Sequence, residues 1–347
     1  RHGRTLLATM LIALSTPAMA SFQDVLDTPA FVTPLAQRTL LVGVAHAQGR
    51  LVAVGPRGHI LTSDDQGASW VQAAVPVSSD LTAVWFANGR RGWAVGHDGV
   101  VLTTQDGGST WTKQLDGREA GRLLVLYCEK LGDETLTAEA RKIAEDGPDK
   151  PFLDLWFADE NTGYIVGAFN LAFKTTDGGK TWVPLFDRID NPQRLHLYAI
   201  RPAGDDLVIV GEGGLVLKAT GGSDRFKALP FPYNGSLFGL LAEGKALLVY
   251  GLRGNLFRSE DGGVSWTQVQ TRERSALVGG VVGRNGRLSI VAQGGAILES
   301  FDNGRSFVPV AGQRPMPLAG IAEDADGRRV LVGFAGVRLL QAGEASK

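Results

Sequence analysis

One octapeptide recurs along this chain, and a unit repeating at a near-constant interval restricts a sequence to folds built by repetition. It reads SDDQGASW (Ser63 to Trp70), TQDGGSTW (Thr104 to Trp111), TTDGGKTW (Thr175 to Trp182), SEDGGVSW (Ser259 to Trp266) and SFDNGRSF (Ser300 to Phe307). Its aspartates stand at 65, 106, 177, 261 and 302, at intervals of 41, 71, 84 and 41. The interval of 84 is two repeats, with the skipped unit surviving as ATGGSDRF (Ala219 to Phe226), and the interval of 71 is one repeat plus an insertion. The pattern is Ser/Thr-x-Asp-x-Gly-x-x-aromatic. Asp accepts main-chain N–H groups across a tight hairpin, Gly supplies a positive φ and the aromatic packs the following strand. Asp65, Asp106, Asp177, Asp261 and Asp302 are therefore structural, because a turn-forming carboxylate has its lone pairs occupied.

Two further registers count the units. A G-x-x-G hairpin precedes each box: GPRG at 55–58, GHDG at 96–99, GAFN at 167–170, GEGG at 211–214, GLRG at 251–254, AQGG at 292–295 and GFAG at 333–336. Twelve or thirteen residues earlier stand Gly43, Ala83, Asp154, Ala199, Gly239, Gly279 and Gly320. Small residues suit a crowded strand near an axis. Seven hairpins predict an all-β, seven-bladed β-propeller. The 46 glycines among 347 residues agree, being roughly twice ordinary usage and spread over many turns. The last unit, Leu318 to Gln341, holds three strands, so the extended segment Ala30 to Gln37 is expected to supply the fourth and close the ring, leaving no exposed sheet edge.

Between the second and third units, residues 116–150 depart in composition. Apolar residues at 120, 123, 124, 127 and 131 fit one helical face and a second helix is expected around Leu136 to Ala144. This helical hairpin is either a tolerated surface insertion or an element that binds a partner or covers the channel. Cys128, beside the apolar stripe, is expected to be a buried, inert thiol.

Residues 1–20 carry Arg1, His2 and Arg4, a short apolar run, and Ala18 and Ala20 in a small-x-small arrangement. This is the pattern of a secretory signal peptide, with cleavage expected after Ala20, a few precursor residues missing before Arg1, and residues 21–347 forming the exported, periplasmic propeller. The lone Cys128 excludes an internal disulfide framework and four-thiolate metal sites. The histidines at 2, 46, 59, 97 and 196 show no metal-ligand spacing, and no cofactor motif is present. A net charge of −1 with dispersed Lys and Arg argues against nucleic acid as a partner.

In a four-stranded blade the third-to-fourth turns lie on one face, and the second-to-third turns and blade connections on the other. The boxes thus occupy one face, and the G-x-x-G hairpins and the insertion share the opposite one. The hairpin tips carry Arg57, His97, Asp98, Phe169, Glu212, Leu252, Arg253, Gln293 and Phe334, with Asp154 on an inner strand near the same end. A ring mixing charges and aromatics is a recognition surface for a protein segment; ordinary solvated turns, with Asp154 capping a backbone group, are the plainer alternative.

From about Thr39 to Leu340 the chain resembles the Asp-box, or BNR-like, repeat family, and its DGGxTW boxes with VGxxG hairpins are most similar to bacterial relatives of the photosystem II stability and assembly factor. The resemblance implies a seven-bladed, exported or lumenal, non-enzymatic scaffold that binds part of a membrane protein during assembly. Relatives in non-photosynthetic bacteria are commonly encoded near resistance-nodulation-division exporters, which implies an envelope transporter as client. In the photosynthetic family an arginine-rich patch binds the client; here Arg57 and Arg253 are the arginines on the hairpin tips. The rival class is a glycoside hydrolase or carbohydrate-binding propeller, since sialidases also use these boxes. Sialidases place Arg-Ile-Pro before the first box, a tripeptide absent from Ser21 to Leu61, while Ile200-Arg201-Pro202 falls in the fourth unit. Asp98, Asp154 and Glu212 are the carboxylates that could lie near the axis for such chemistry.

Overall fold

The computed structural model describes residues 23–311, 316–324 and 326–340; the expected signal peptide, residues 1–20, lies outside them. Seven antiparallel sheets follow one another around an axis, each with its strands in chain order from the inside outward. They span 43–72, 81–115, 152–184, 197–228, 237–268, 277–309 and 318–340, numbered here as blades one to seven. The apolar core is divided into seven clusters, one for each junction between neighbouring blades, and the seventh joins Val332 of blade seven to Ala53 and Leu61 of blade one. At the junction of blades two and three, Trp93 and Phe157 stack with ring centroids 3.5 Å apart. Near the axis the inner strands crowd: a Cβ on Gly279 would lie 3.1 Å from the Cα of Gly320 on the next blade.

Each box closes on itself as its residue types require. In blade six the Ser300 hydroxyl donates to Asp302 Oδ1 at 2.8 Å and accepts the N–H of Gly304 at 2.9 Å. Asp302 also accepts the N–H of Ser306 at 2.9 Å and its hydroxyl at 2.6 Å. The same set recurs around Asp65, Asp106, Asp177 and Asp261. In the first two boxes the tryptophan indole N–H donates to the box glycine carbonyl, Trp70 to Gly67 and Trp111 to Gly108.

Blade seven has three strands among the described residues, and the expected closing strand is corrected here: Ala30 to Gln37 forms no strand. The backbone of this segment is spent elsewhere. The N–H of Ala30 donates to Val75 O, and the side chain of Gln72 accepts from Thr33 N–H and donates to Phe31 O. Pro34 has no N–H to offer a ladder. The segment therefore straps across the outer edge of blade one. It still helps to close the ring, because Ala36 is buried in the cluster that joins blades seven and one, and Leu41 N–H donates to Gly333 O at 3.1 Å.

The junction of blades six and seven carries buried charge. Glu299 contacts Arg329, both almost wholly buried, and Arg287 reaches Glu323 at 2.8 Å. Burial, then the neighbouring Arg287, pull the Arg329 guanidinium down to about 10.

The insertion is the expected helical hairpin, α1 (Gly117–Leu131) and α2 (Glu134–Glu145). Asp116 caps α1 by accepting the N–H groups of Arg118 and Glu119, and Gly132 ends it in the left-handed conformation. Ala120, Leu124 and Cys128 form its buried stripe, packed with Phe152 and Phe186, whereas Leu131 is exposed at its end. Arg194 braces the hairpin through Glu139, at 2.7 and 2.8 Å. Burial pushes the Cys128 thiol up to about 11, with Asp187, Asp133 and Glu139 adding to it.

Candidate partner-binding site

The turn between the second and third strands has one backbone form in blades one to five, with the tip residue left-handed: Arg57 at φ 59°, Asp98 at 58°, Phe169 at 53°, Gly213 at 63° and Arg253 at 58°. That conformation is uncommon outside glycine and unfavourable for a bulky residue such as phenylalanine. It turns Phe169 outward, 49% exposed, and on the turn of blade five Leu252 is 37% exposed.

A second local feature shapes the axis. In blades two to seven the inner strand carries a β-bulge at its second residue, shown by a register break at the same place in each pairing. A bulge leaves one residue unpaired and re-aims its side chain. The residues so placed are Thr82, Leu153, Tyr198, Phe238, Val278 and Ala319. With Val42 of blade one they line the central cavity, of roughly 180 Å³. Six of these seven side chains are apolar or aromatic. No residue of the insertion lines this cavity, so α1 and α2 do not cover it.

These two features meet over blades three to five. The rings of Phe169 and His196 lie edge to face at 4.7 Å, His196 and Tyr198 at 6.1 Å, and Tyr198 and Phe238 at 5.2 Å. The row is fixed at both ends of His196, whose Nδ1 accepts the N–H of Phe169 at 3.0 Å and whose own N–H donates to Glu212 at 3.2 Å. Burial raises the Tyr198 hydroxyl above its ordinary value, and the Glu212 carboxylate adds to this.

Of the residues expected on this face, the structure brings Phe169 and Glu212 into that row, with Leu252 and Arg253 on the next turn. Arg57, the pair His97 and Asp98, Gln293 and Phe334 sit on four other turns around the rim, and His97 and Asp98 make no hydrogen bond to each other. Asp154 lies inside the channel, where Oδ2 accepts the N–H of Ile200 at 2.9 Å and pairs with Arg201 at 2.5 Å. Arg201, which in the sequence stood out only within a misplaced tripeptide, is thus part of the channel wall. His196, Tyr198 and Phe238 escaped sequence reasoning. A signal was available for the last two, since each immediately precedes a member of the small-residue register, Ala199 and Gly239. Among the described residues no group of His, Cys, Asp or Glu could hold a metal ion, and no helix is long and apolar enough to cross a membrane.

Comparison with known proteins places this geometry in a lineage. The family model described as photosynthesis system II assembly factor YCF48 matches residues 62–143 and 135–282. Photosystem II assembly lipoprotein Ycf48 of Synechococcus sp. (strain CC9902) is 27% identical over 129 residues, which span 36% of this chain and 38% of that protein. Among solved structures, YCF48 bound to D1 peptide superposes with a TM-score of 0.66 at 16% identity, covering 91% of this chain and all (100%) of that one. YCF48 from Cyanidioschyzon merolae gives 0.65 at 16% identity over 88% of this chain and 96% of that one. A streptogramin B lyase gives 0.67 at 13% identity over 88% and 95%, so the fold by itself is shared with an enzyme. The match of the family model over most of the repeats carries the assignment: this chain belongs to the family of the photosystem II assembly factor YCF48.

Proposed function

We propose that this protein is a non-catalytic scaffold that holds a segment of a membrane protein on its hairpin face while that protein is assembled. The observation that carries the reading is the aromatic row Phe169, His196, Tyr198 and Phe238, which crosses three blades and opens on the channel mouth. Exposed or half-exposed aromatics held by hydrogen bonds are the anchors of protein recognition sites. The relatives support the same reading, one being an assembly lipoprotein of photosystem II and another having been solved with a D1 peptide. Commitment of Asp154 to Arg201 and Ile200 weighs against its use as a hydrolytic acid or base. In this reading residues 1–20 direct export, residues 21–347 act outside the cytoplasm, and the client is an envelope transporter complex. Arg57, His97, Asp98, Gln293 and Phe334 form the rim of the contact around Phe169, Glu212, Leu252 and Arg253.

The test is affinity purification of the mature protein after crosslinking in its native envelope, set beside a double variant, Arg57→Glu with Arg253→Glu. Recovery of one membrane protein, lost in the variant, is the expected result. Abundant, folded bait that recovers no membrane protein would remove the proposal, and a glycan array with a glycosidase screen would then be informative.

A further inference from the structure

The central cavity, taken with the scaffold reading on which this rests, has a shape and polarity that name the side chain it receives. Its mouth is the collar of bulge residues, Val42, Leu153, Tyr198, Phe238, Val278 and Ala319 with Thr82. The floor differs from the mouth. Asp154 directly follows Leu153, so its carboxylate starts one residue, roughly 3.3 Å, deeper. Its Oδ2 is taken by Ile200 N–H and by Arg201, and Oδ1 accepts no hydrogen bond from a described residue. Arg201 uses Nη1 for Asp154, Leu155 O and Ile200 O, while Nε and Nη2 make no hydrogen bond to a described residue. The guanidinium is held 5.5 Å from the centroid of Trp85. Asp154 and Arg201 both line the cavity, so its wall offers an acceptor and donors that have no partner among the described residues.

Size narrows the choice. Ligand pockets for whole small molecules measure about 300–1,000 Å³, whereas a cavity of about 150 Å³ holds one benzene. At roughly 180 Å³ this one takes a single aromatic ring. A purely apolar ring would leave Asp154 Oδ1 and the Arg201 donors without partners, which costs free energy in a partly dry site. A lysine would meet the Arg201 guanidinium. A phenol answers both ends, its ring within the collar edge-to-face with Tyr198 and Phe238, its hydroxyl donating to Asp154 Oδ1 and accepting from Arg201. We infer that the channel mouth is a receptor for one tyrosine side chain of an extended client segment, which enters from the hairpin face along the row that Phe169 and His196 continue.

The probe is p-cresol, the tyrosine side chain as a free molecule, with toluene as the ring without its hydroxyl. Calorimetric titration of the full mature protein is expected to give a p-cresol dissociation constant on the order of 1 mM and toluene binding weaker by about tenfold. Plugging the collar with Val278→Phe, or from another blade with Leu153→Trp, abolishes p-cresol binding if the site is this cavity. Equal affinity for the two probes, no p-cresol binding up to about 10 mM, or undiminished binding in both folded plug variants overturns the inference. Client capture separates it from the scaffold reading. Plug variants that lose p-cresol yet recover the client as well as wild type show that the cavity is not a client site and leave the scaffold intact. Failure of the wild type to recover any client sinks the scaffold reading, whatever the cresol titration gives.

Discussion

Replacing Asp302 by alanine tests whether the boxes act as turn-forming braces. The carboxylate accepts three hydrogen bonds, from the Ser300 hydroxyl, the Ser306 N–H and the Ser306 hydroxyl. The turn is exposed and water replaces the lost acceptor, so each bond counts at the low end of its range. Together they contribute about 1.5–3 kcal/mol. For a chain of this length that lowers the melting temperature by about 2–5 °C at pH 7, and Asp302→Asn, which keeps one acceptor oxygen, loses about half as much. The pH dependence has a definite sign. Although burial works to raise it, the bonds from Ser306 and Ser300 bring the Asp302 carboxyl down to about 2. An unfolded aspartate titrates near 3.9, so the ionised group stabilises the fold above that value and the contribution fades as pH falls toward 2. The gap between wild type and Asp302→Ala, followed by scanning calorimetry, narrows by about half at pH 3. An alanine variant that melts with the wild type at pH 7, or a gap that widens in acid, refutes the reasoning.

Other consequences concern packing and buried charge. Leu124, on the buried stripe of α1, is 1% exposed, so Leu124→Ala costs about 2–5 kcal/mol in urea unfolding, which a loosely appended hairpin would not show. Cys128, fully buried with its thiol raised to about 11, stays unlabelled by iodoacetamide at pH 8 in the folded protein and reacts once urea unfolds it. Glu299→Gln leaves Arg329 and Arg287 without their shared counter-charge at the junction of blades six and seven and destabilises by about 3–5 kcal/mol, measurable by the same unfolding curves.

Much of this architecture was legible because its signals are local. A Ser-x-Asp-x-Gly turn is satisfied within its own eight residues, and five such boxes, a sixth degenerate copy and seven hairpins leave one ring to build. The strap was misread for the opposite reason. Ala30, Phe31 and Val32 have the composition of a strand, but their hydrogen bonds go to Val75 and to the side chain of Gln72, forty residues away, which no local pattern announces. The site was half legible. Phe169 lay on a countable hairpin, whereas Tyr198 and Phe238 reach the channel mouth through bulges. A bulge is set by how the inner strand must curve to meet both its blade and the axis, so it leaves one trace in the sequence, the position of a residue just before the small-residue register.

The most direct test of the account is to place a photocrosslinking amino acid at single positions of the mature protein in its native envelope. Phe169 and Leu252 sample the hairpin face, and Val264 and Phe301 sample the box face, all four being exposed. The account predicts that the first two capture the same membrane protein and the last two capture none of it. Capture of that protein from the box-face positions, with nothing from Phe169 or Leu252, would contradict it.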